Sequence, residues 1–125
     1  MGRIINFAGG GAAYANPCFS AYGVAKCAVV RLTETIAAEI VTPNVTINII
    51  APGAVATDML AQVEAHGGVV RTRSAMEEPV RLVRFLAGPN TAHINGRFIH
   101  VRDSFQDPHN YENTDLWKLR RVQNA

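Results

Sequence analysis

Tyr22 and Lys26 stand four residues apart, a spacing that on a helix puts both side chains on one face about a turn apart. A free phenol ionises near 10, too high for efficient proton transfer at neutral pH. A lysine ammonium a few ångströms away favours the phenolate and lowers that value, so the pair could work as a general acid or base. With three tyrosines and two lysines in the chain, a pair at this spacing arises by chance often enough to be weak evidence alone. Position adds weight. Lys26 is the only lysine before residue 118, it lies in a stretch otherwise too apolar to welcome a charge, and a buried ammonium needs a partner.

The other reactive side chains form no comparable constellation. Cys18 and Cys27 have neither metal-ligand nor redox spacing and are expected to be buried free thiols acting as small hydrophobes. His66, His93, His100 and His109 show no paired ligand spacing, so no metal site is expected. Gly9-Gly10-Gly11 is not a phosphate-binding turn, because such a turn opens directly into a helix and residues 12–19 intervene here. A tight, close-packed loop is the simpler reading.

The elements that must position Tyr22 and Lys26 follow from the order of apolar runs. Residues 3–8 (RIINFA) read as a buried strand entering a glycine-rich loop, and residues 20–41 as a long helix with Ser20 as its N-cap. Tyr22, Val24, Ala25, Cys27, Ala28, Val29, Val30 and Leu32 leave little for water, so this helix is expected to be buried on more than one face. Residues 45–50 (VTINII) read as a second strand stopped by Pro52-Gly53, with Thr57 and Asp58 in the loop beyond. A short helix within residues 59–70, a helix over 77–87 with Arg81 and Arg84 outward, and a third strand at 97–101 complete the pattern. Strand and helix in alternation imply an α/β fold with a parallel sheet. The boundary falls near residue 103, and residues 104–125 read as a polar surface tail anchored by Phe105, Tyr111, Trp117 and Leu119.

Composition narrows the function classes. At 125 residues, 48% hydrophobic and 18% charged, the chain is one domain at most, and disordered and collagen-like classes are excluded. Twelve basic against ten acidic residues leave a net charge of +2 with no basic cluster, so no nucleic-acid partner is expected. The most apolar region, residues 45–56, is interrupted by Thr46, Asn48, Pro52 and Gly53, too short a run for a membrane span. The amino-terminal residues lack the apolar core of a signal peptide, and the cytoplasm is the expected location.

Two motifs then point to a family. Ser20-Ala21-Tyr22-Gly23-Val24-Ala25-Lys26, following a strand and loop, resembles the active-site helix of the short-chain dehydrogenases/reductases. Residues 48–57, from Asn48 through Pro52-Gly53 to Thr57, resemble that family's Asn-x-x-x-Pro-Gly-x-x-x-Thr segment. Phe85-Leu86-Ala87 and Ile94-Asn95-Gly96 are similar to its last helix, turn and strand, so the resemblance covers residues 3–103. It implies a partial Rossmann-like sheet and hydride transfer between NAD or NADP and a small carbonyl or alcohol substrate. By the same resemblance Tyr22 would move the proton, and Lys26 would lower its pKa and hold the nicotinamide ribose. Pro52, Gly53, Val55 and Thr57 would line the nicotinamide. Homo-oligomerisation through the Tyr22 helix is also implied.

Two departures from the family pattern set further expectations. The family's serine, thirteen residues before the tyrosine, corresponds here to Gly9, which has no hydroxyl; Tyr14 and Ser20 are the nearest substitutes. No glycine-rich pyrophosphate turn precedes the first strand, so the chain is expected to be a fragment, or to need a partner, and to be impaired by itself. Choice between NAD and NADP is not legible. The rival expectation is a catalytically silent binding or assembly module that keeps the fold.

Overall fold

In the computed structural model, which describes residues 1–121, the two β-branched runs pair side by side. Strand β1 (Gly2–Phe7) lies parallel to β2 (Val45–Ala51) with Gly2 opposite Val45 and Phe7 opposite Ile50. Strand β3 (Phe98–His100) pairs parallel to the other side of β2, giving the order β1-β2-β3. Val, Ile and Thr suit a strand covered on both faces, and β2 is buried along almost its whole length. Helix α1 (Ser20–Glu39) connects β1 to β2; α2 (Asp58–Ala65) and α3 (Glu77–Leu86) lie between β2 and β3.

Alternation along the strands sends successive side chains to opposite layers. On one face Ile49 packs with Ala8, Ala12 and Val30, with Val29, Phe98 and Leu119 alongside. On the other, Ile50 and Ile99 pack with Leu82, Leu86, Ile94, Val101 and Phe105. Helix α3 shows how sequence selects the second face. Pro79, Leu82 and Leu86 are buried while Arg81 and Arg84 face water. Glu77 and Glu78 sit at its amino end and Arg84 at its carboxyl end, in keeping with the helix dipole.

Two asparagines stitch the strands to the turn before β3. Asn48, 2% exposed, donates to the Ile94 carbonyl and accepts from the Arg97 amide. Asn95 accepts from the Ile47 amide and donates to the Ala37 carbonyl on α1. Gly96 follows with φ of +67°, and a Cβ there would lie 2.9 Å from the Ala37 methyl, so only glycine closes this turn against the helix.

Five sequence expectations are corrected by the structure. Helix α1 is fully buried only at Val30 and Thr33, while Val24 is 71% and Leu32 54% exposed, so it packs through a single face. Its cap residue is Phe19, and Ser20 is the first helical residue, with no side-chain capping bond. The helix ends at Glu39 because Ile40 is extended, two residues short of the expected end. Cys18 and Cys27 are exposed, not buried. Phe105, expected on a surface tail, is 3% exposed within the core. At the other edge of the sheet, β1 leaves Ile4 45% and Phe7 49% exposed.

Candidate active site

The carboxyl end of β1 and the first turns of α1 meet in a tightly packed corner. Gly10–Ala12 form a short 3-10 turn after Gly9, closed by the Ala12 amide on the Gly9 carbonyl. A Cβ at Gly11 would lie 3.4 Å from the Gly23 Cα, and one at Gly23 would lie 3.3 Å from the Gly11 carbonyl oxygen. Loop and helix therefore touch backbone to backbone, which the small residues permit.

That corner brings Tyr22 and Lys26 together on one face of α1. The Lys26 ammonium donates to the Phe7 carbonyl at 3.0 Å and stands 5.7 Å from the centre of the Tyr22 ring. The phenol itself is turned onto Gly9. A Cβ at residue 9 would lie 2.3 Å from Tyr22 Oη, so the phenol occupies the space a side chain at that position would need. Partial burial pushes the Tyr22 phenol above its ordinary value of 10. Spacing alone suggested the opposite direction; in this arrangement the ammonium lies over the ring face and desolvation governs.

The neighbouring strand end supplies the second group. The Ala8 amide donates to the Ile50 carbonyl at 2.8 Å, so the loops leaving β1 and β2 emerge side by side. Gly53 has φ of +71°, and a Cβ there would meet Ser74 Oγ at 2.2 Å. Backbone bonds between Ala54 and residues 72 and 74 hold these segments in parallel contact. Pro52 and Val55 are half-buried, and among the described residues the Val55 N–H and C=O pair with no other protein group. Thr57 Oγ1 accepts from the Leu60 amide at 3.3 Å, capping α2 and leaving its hydroxyl hydrogen free.

Beyond α2 the chain folds back over the first loop. Gly68 approaches Phe19, and the Arg71 guanidinium sits 4.6 Å from the centre of the Tyr14 ring. Tyr14 is thus engaged by Arg71, and Ser20 is exposed at the helix start. Among the described residues no hydrogen bond joins the Tyr22–Lys26 group to the Pro52–Thr57 group. Among the described residues no cluster of three or more His, Cys, Asp or Glu side chains gathers, and no helix is long and apolar enough to cross a membrane.

Sequence reasoning missed three contacts. The acceptor for Lys26 is a backbone carbonyl, which has no side-chain signature. Ser74 Oγ is buried against Gly53 without a partner among the described residues. Asn48, which opens the second motif, is a buried structural bracket. Its position inside an apolar β-branched run was the available signal, because a buried amide must be bonded.

A family model for short chain dehydrogenases matches residues 1–67. The chain belongs to this family. It is 35% identical over 105 residues to a 3-oxoacyl-acyl-carrier-protein reductase of Synechocystis sp., covering 80% of the chain and 42% of that protein. To the short-chain reductase protein NovJ of Streptomyces niveus it is 37% identical over 114 residues, covering 80% and 43%. Among solved structures, an actinorhodin polyketide ketoreductase variant with NADPH superposes with a TM-score of 0.72 at 26% identity, over 81% of this chain and 46% of that one. The chain thus spans less than half the length of these short chain dehydrogenase relatives. Its donor set fits the nicotinamide end of a dinucleotide: Lys26 uses one of three N–H donors on Phe7, and the Val55 backbone and Thr57 hydroxyl hydrogen are unspent.

Proposed function

We propose that the chain carries the nicotinamide and proton-transfer end of an NAD(P)-dependent oxidoreductase acting on a small carbonyl or alcohol. The observation that carries this reading is Lys26, whose ammonium is held at the carboxyl end of β1 by the Phe7 carbonyl and beside the Tyr22 ring. Ligands of open α/β sheets bind beyond the carboxyl ends of the strands, where both candidate groups lie. When bound, the nicotinamide supplies the hydride in reduction or accepts it in oxidation.

The chain's own residues bind, orient and move the proton. Lys26 holds the ribose hydroxyls with its two remaining N–H donors. Pro52 and Gly53 shape the nicotinamide wall, Val55 offers its backbone N–H and C=O, and Thr57 donates its hydroxyl hydrogen. Tyr22 gives its phenolic proton to the substrate oxygen in reduction and takes it back in oxidation. Burial raises the Tyr22 pKa further from neutral pH, which works against efficient proton transfer in this arrangement. Gly9 offers the substrate oxygen no hydroxyl, and loss of one such donor costs about 10² to 10³ in rate, so the isolated chain is read as impaired. Residues 1–103 form the catalytic portion in this reading, working in the cytoplasm, and the outward face of α1 at Val24 and Leu32 meets a second subunit. A second reading, an assembly module without turnover, is favoured by the Tyr22 phenol filling the space over Gly9.

Fluorescence titration with NADH and NADPH tests the choice. Saturable binding at about millimolar or tighter, lost in Lys26→Met, supports the oxidoreductase; no binding of either nucleotide refutes it for this chain. The relatives' names make a 3-oxoacyl thioester the first substrate to assay. Tyr22→Phe is then expected to abolish turnover while leaving nucleotide binding unchanged.

A further inference from the structure

The residues that follow β3 run back along its outer edge and are bonded both to it and to α1. We propose that residues 103–119 are a built-in cap on the outer edge of β3, which keeps that edge from pairing with the sheet of a second copy of this chain.

Pairing with β2 fixes which way each β3 backbone group points. The Arg97 carbonyl and Val101 amide bond to β2, through the Ile49 amide at 2.8 Å and the Ala51 carbonyl at 3.1 Å. Alternation then turns the Phe98 and His100 amides away from β2, toward the open side. Both are spoken for within the chain. The Phe98 amide donates to the Trp117 carbonyl at 2.7 Å, and the His100 amide donates to Asp103 Oδ2 at 2.7 Å. An uncovered strand edge is a template for another strand, and this one offers no free outward N–H.

The cap is held from three sides. The Arg97 guanidinium, in a residue 6% exposed, donates to the carbonyls of Leu116 at 2.7 Å, Asn113 at 2.8 Å and Tyr111 at 3.2 Å. Burying a guanidinium is costly unless its donors are satisfied, so Arg97 and the segment specify one another. The Trp117 ring packs edge-on against Tyr111 with centroids 5.5 Å apart. Trp117 also adopts φ of +56°, a left-handed conformation unusual for so bulky a residue, as the chain turns there. Beyond it the Leu119 amide donates to Glu34 and its carbonyl accepts from Arg31, tying the segment to α1.

Amide hydrogen exchange and sedimentation at low and high protein concentration test the cap. In the full chain the Phe98 and His100 amides are expected to be protected to the same degree at both concentrations. A chain ending at residue 113 and carrying Asp103→Ala keeps Phe105 and Tyr111 but opens the edge. Its two amides should exchange at least about tenfold faster when dilute, recover protection when concentrated, and do so with a doubling of sedimenting mass mapped to β3. Free exchange at both concentrations with no rise in mass would overturn the proposal, as would concentration-dependent protection in the full chain. Where the shortened chain loses its circular dichroism, Arg97→Met combined with Asp103→Ala in the full chain releases both outward amides with Phe105 and Tyr111 in place. The same two outcomes decide it, and the full-chain exchange data stand in either case.

Discussion

Restoring the hydroxyl that Gly9 lacks puts the tightest contact of the candidate site under direct stress. Gly9 has φ of −166° and ψ of 174°, an extended backbone that any residue adopts, so Gly9→Ser carries no conformational penalty of its own. Its Cβ would stand 2.3 Å from Tyr22 Oη and 3.3 Å from Cζ, well inside contact distance, and the phenol must move by about an ångström. The ring is the far end of a flexible side chain and Tyr22 is 39% exposed, so it has somewhere to go. An off-rotamer displacement of this size costs about 0.5–1.5 kcal/mol, or roughly 2–5 °C in Tm for a domain of this length. Moving the phenol into water removes the burial that raises its pKa, so its ionisation should fall back toward 10. Tyrosinate absorbance followed against pH, with Tyr22→Phe to identify which of the three tyrosines is read, measures the shift. Thermal unfolding measures the cost. An unchanged Tyr22 titration in Gly9→Ser, or a loss above about 3 kcal/mol, would refute the contact on which the reasoning rests.

Other perturbations follow the same logic. Leu82→Ala empties a site with no exposure in the core beneath α3 and should cost about 3 kcal/mol by urea denaturation; a loss below about 1 kcal/mol would mean the helix is not packed as described. Gly53→Ala combines φ of +71° with a collision at Ser74 Oγ and should cost about 1–3 kcal/mol, of which Ser74→Gly recovers the steric part but not the backbone part. The Tyr111 phenol, which donates to the Phe105 carbonyl, is pushed up to about 12, chiefly by burial, with Arg97 opposing and Asp103 adding. Its folded value lies above the unfolded value of 10. The stability it contributes is therefore complete below pH 10 and lost as pH rises through about 12. Tyr111→Phe should flatten that alkaline decline in urea midpoints, and an identical slope in both proteins would count against the buried phenol.

What the chain's residues reveal by pattern is the scaffold. Val45-Thr46-Ile47-Asn48-Ile49-Ile50 could only be a covered strand, and β-branched runs joined by an amphipathic or apolar helix imply a parallel sheet. Helix α3 was legible from the spacing of Leu82 and Leu86 against Arg81 and Arg84. Misreadings arose where the outcome depends on what a residue meets. The apolar composition of α1 says what it offers for burial, whereas Val24 and Leu32 remain in water because no element covers them. The four-residue spacing of Tyr22 and Lys26 placed them together, but the sign of the Tyr22 shift hung on a ring turned onto Gly9. Phe105 looked like a stray anchor in a polar tail, since nothing local records that it completes the layer under Leu82 and Ile99.

The distance along the chain between β3 and its cap has a consequence during folding. Phe98 precedes Trp117, whose carbonyl it needs, by nineteen residues. Arg97 likewise waits for the carbonyls of Tyr111, Asn113 and Leu116. Until that loop closes, the folding chain presents an open strand and an unsatisfied guanidinium. Conditions that slow the closure would lengthen this interval, and chains caught in it would be those most prone to join one another through their edges.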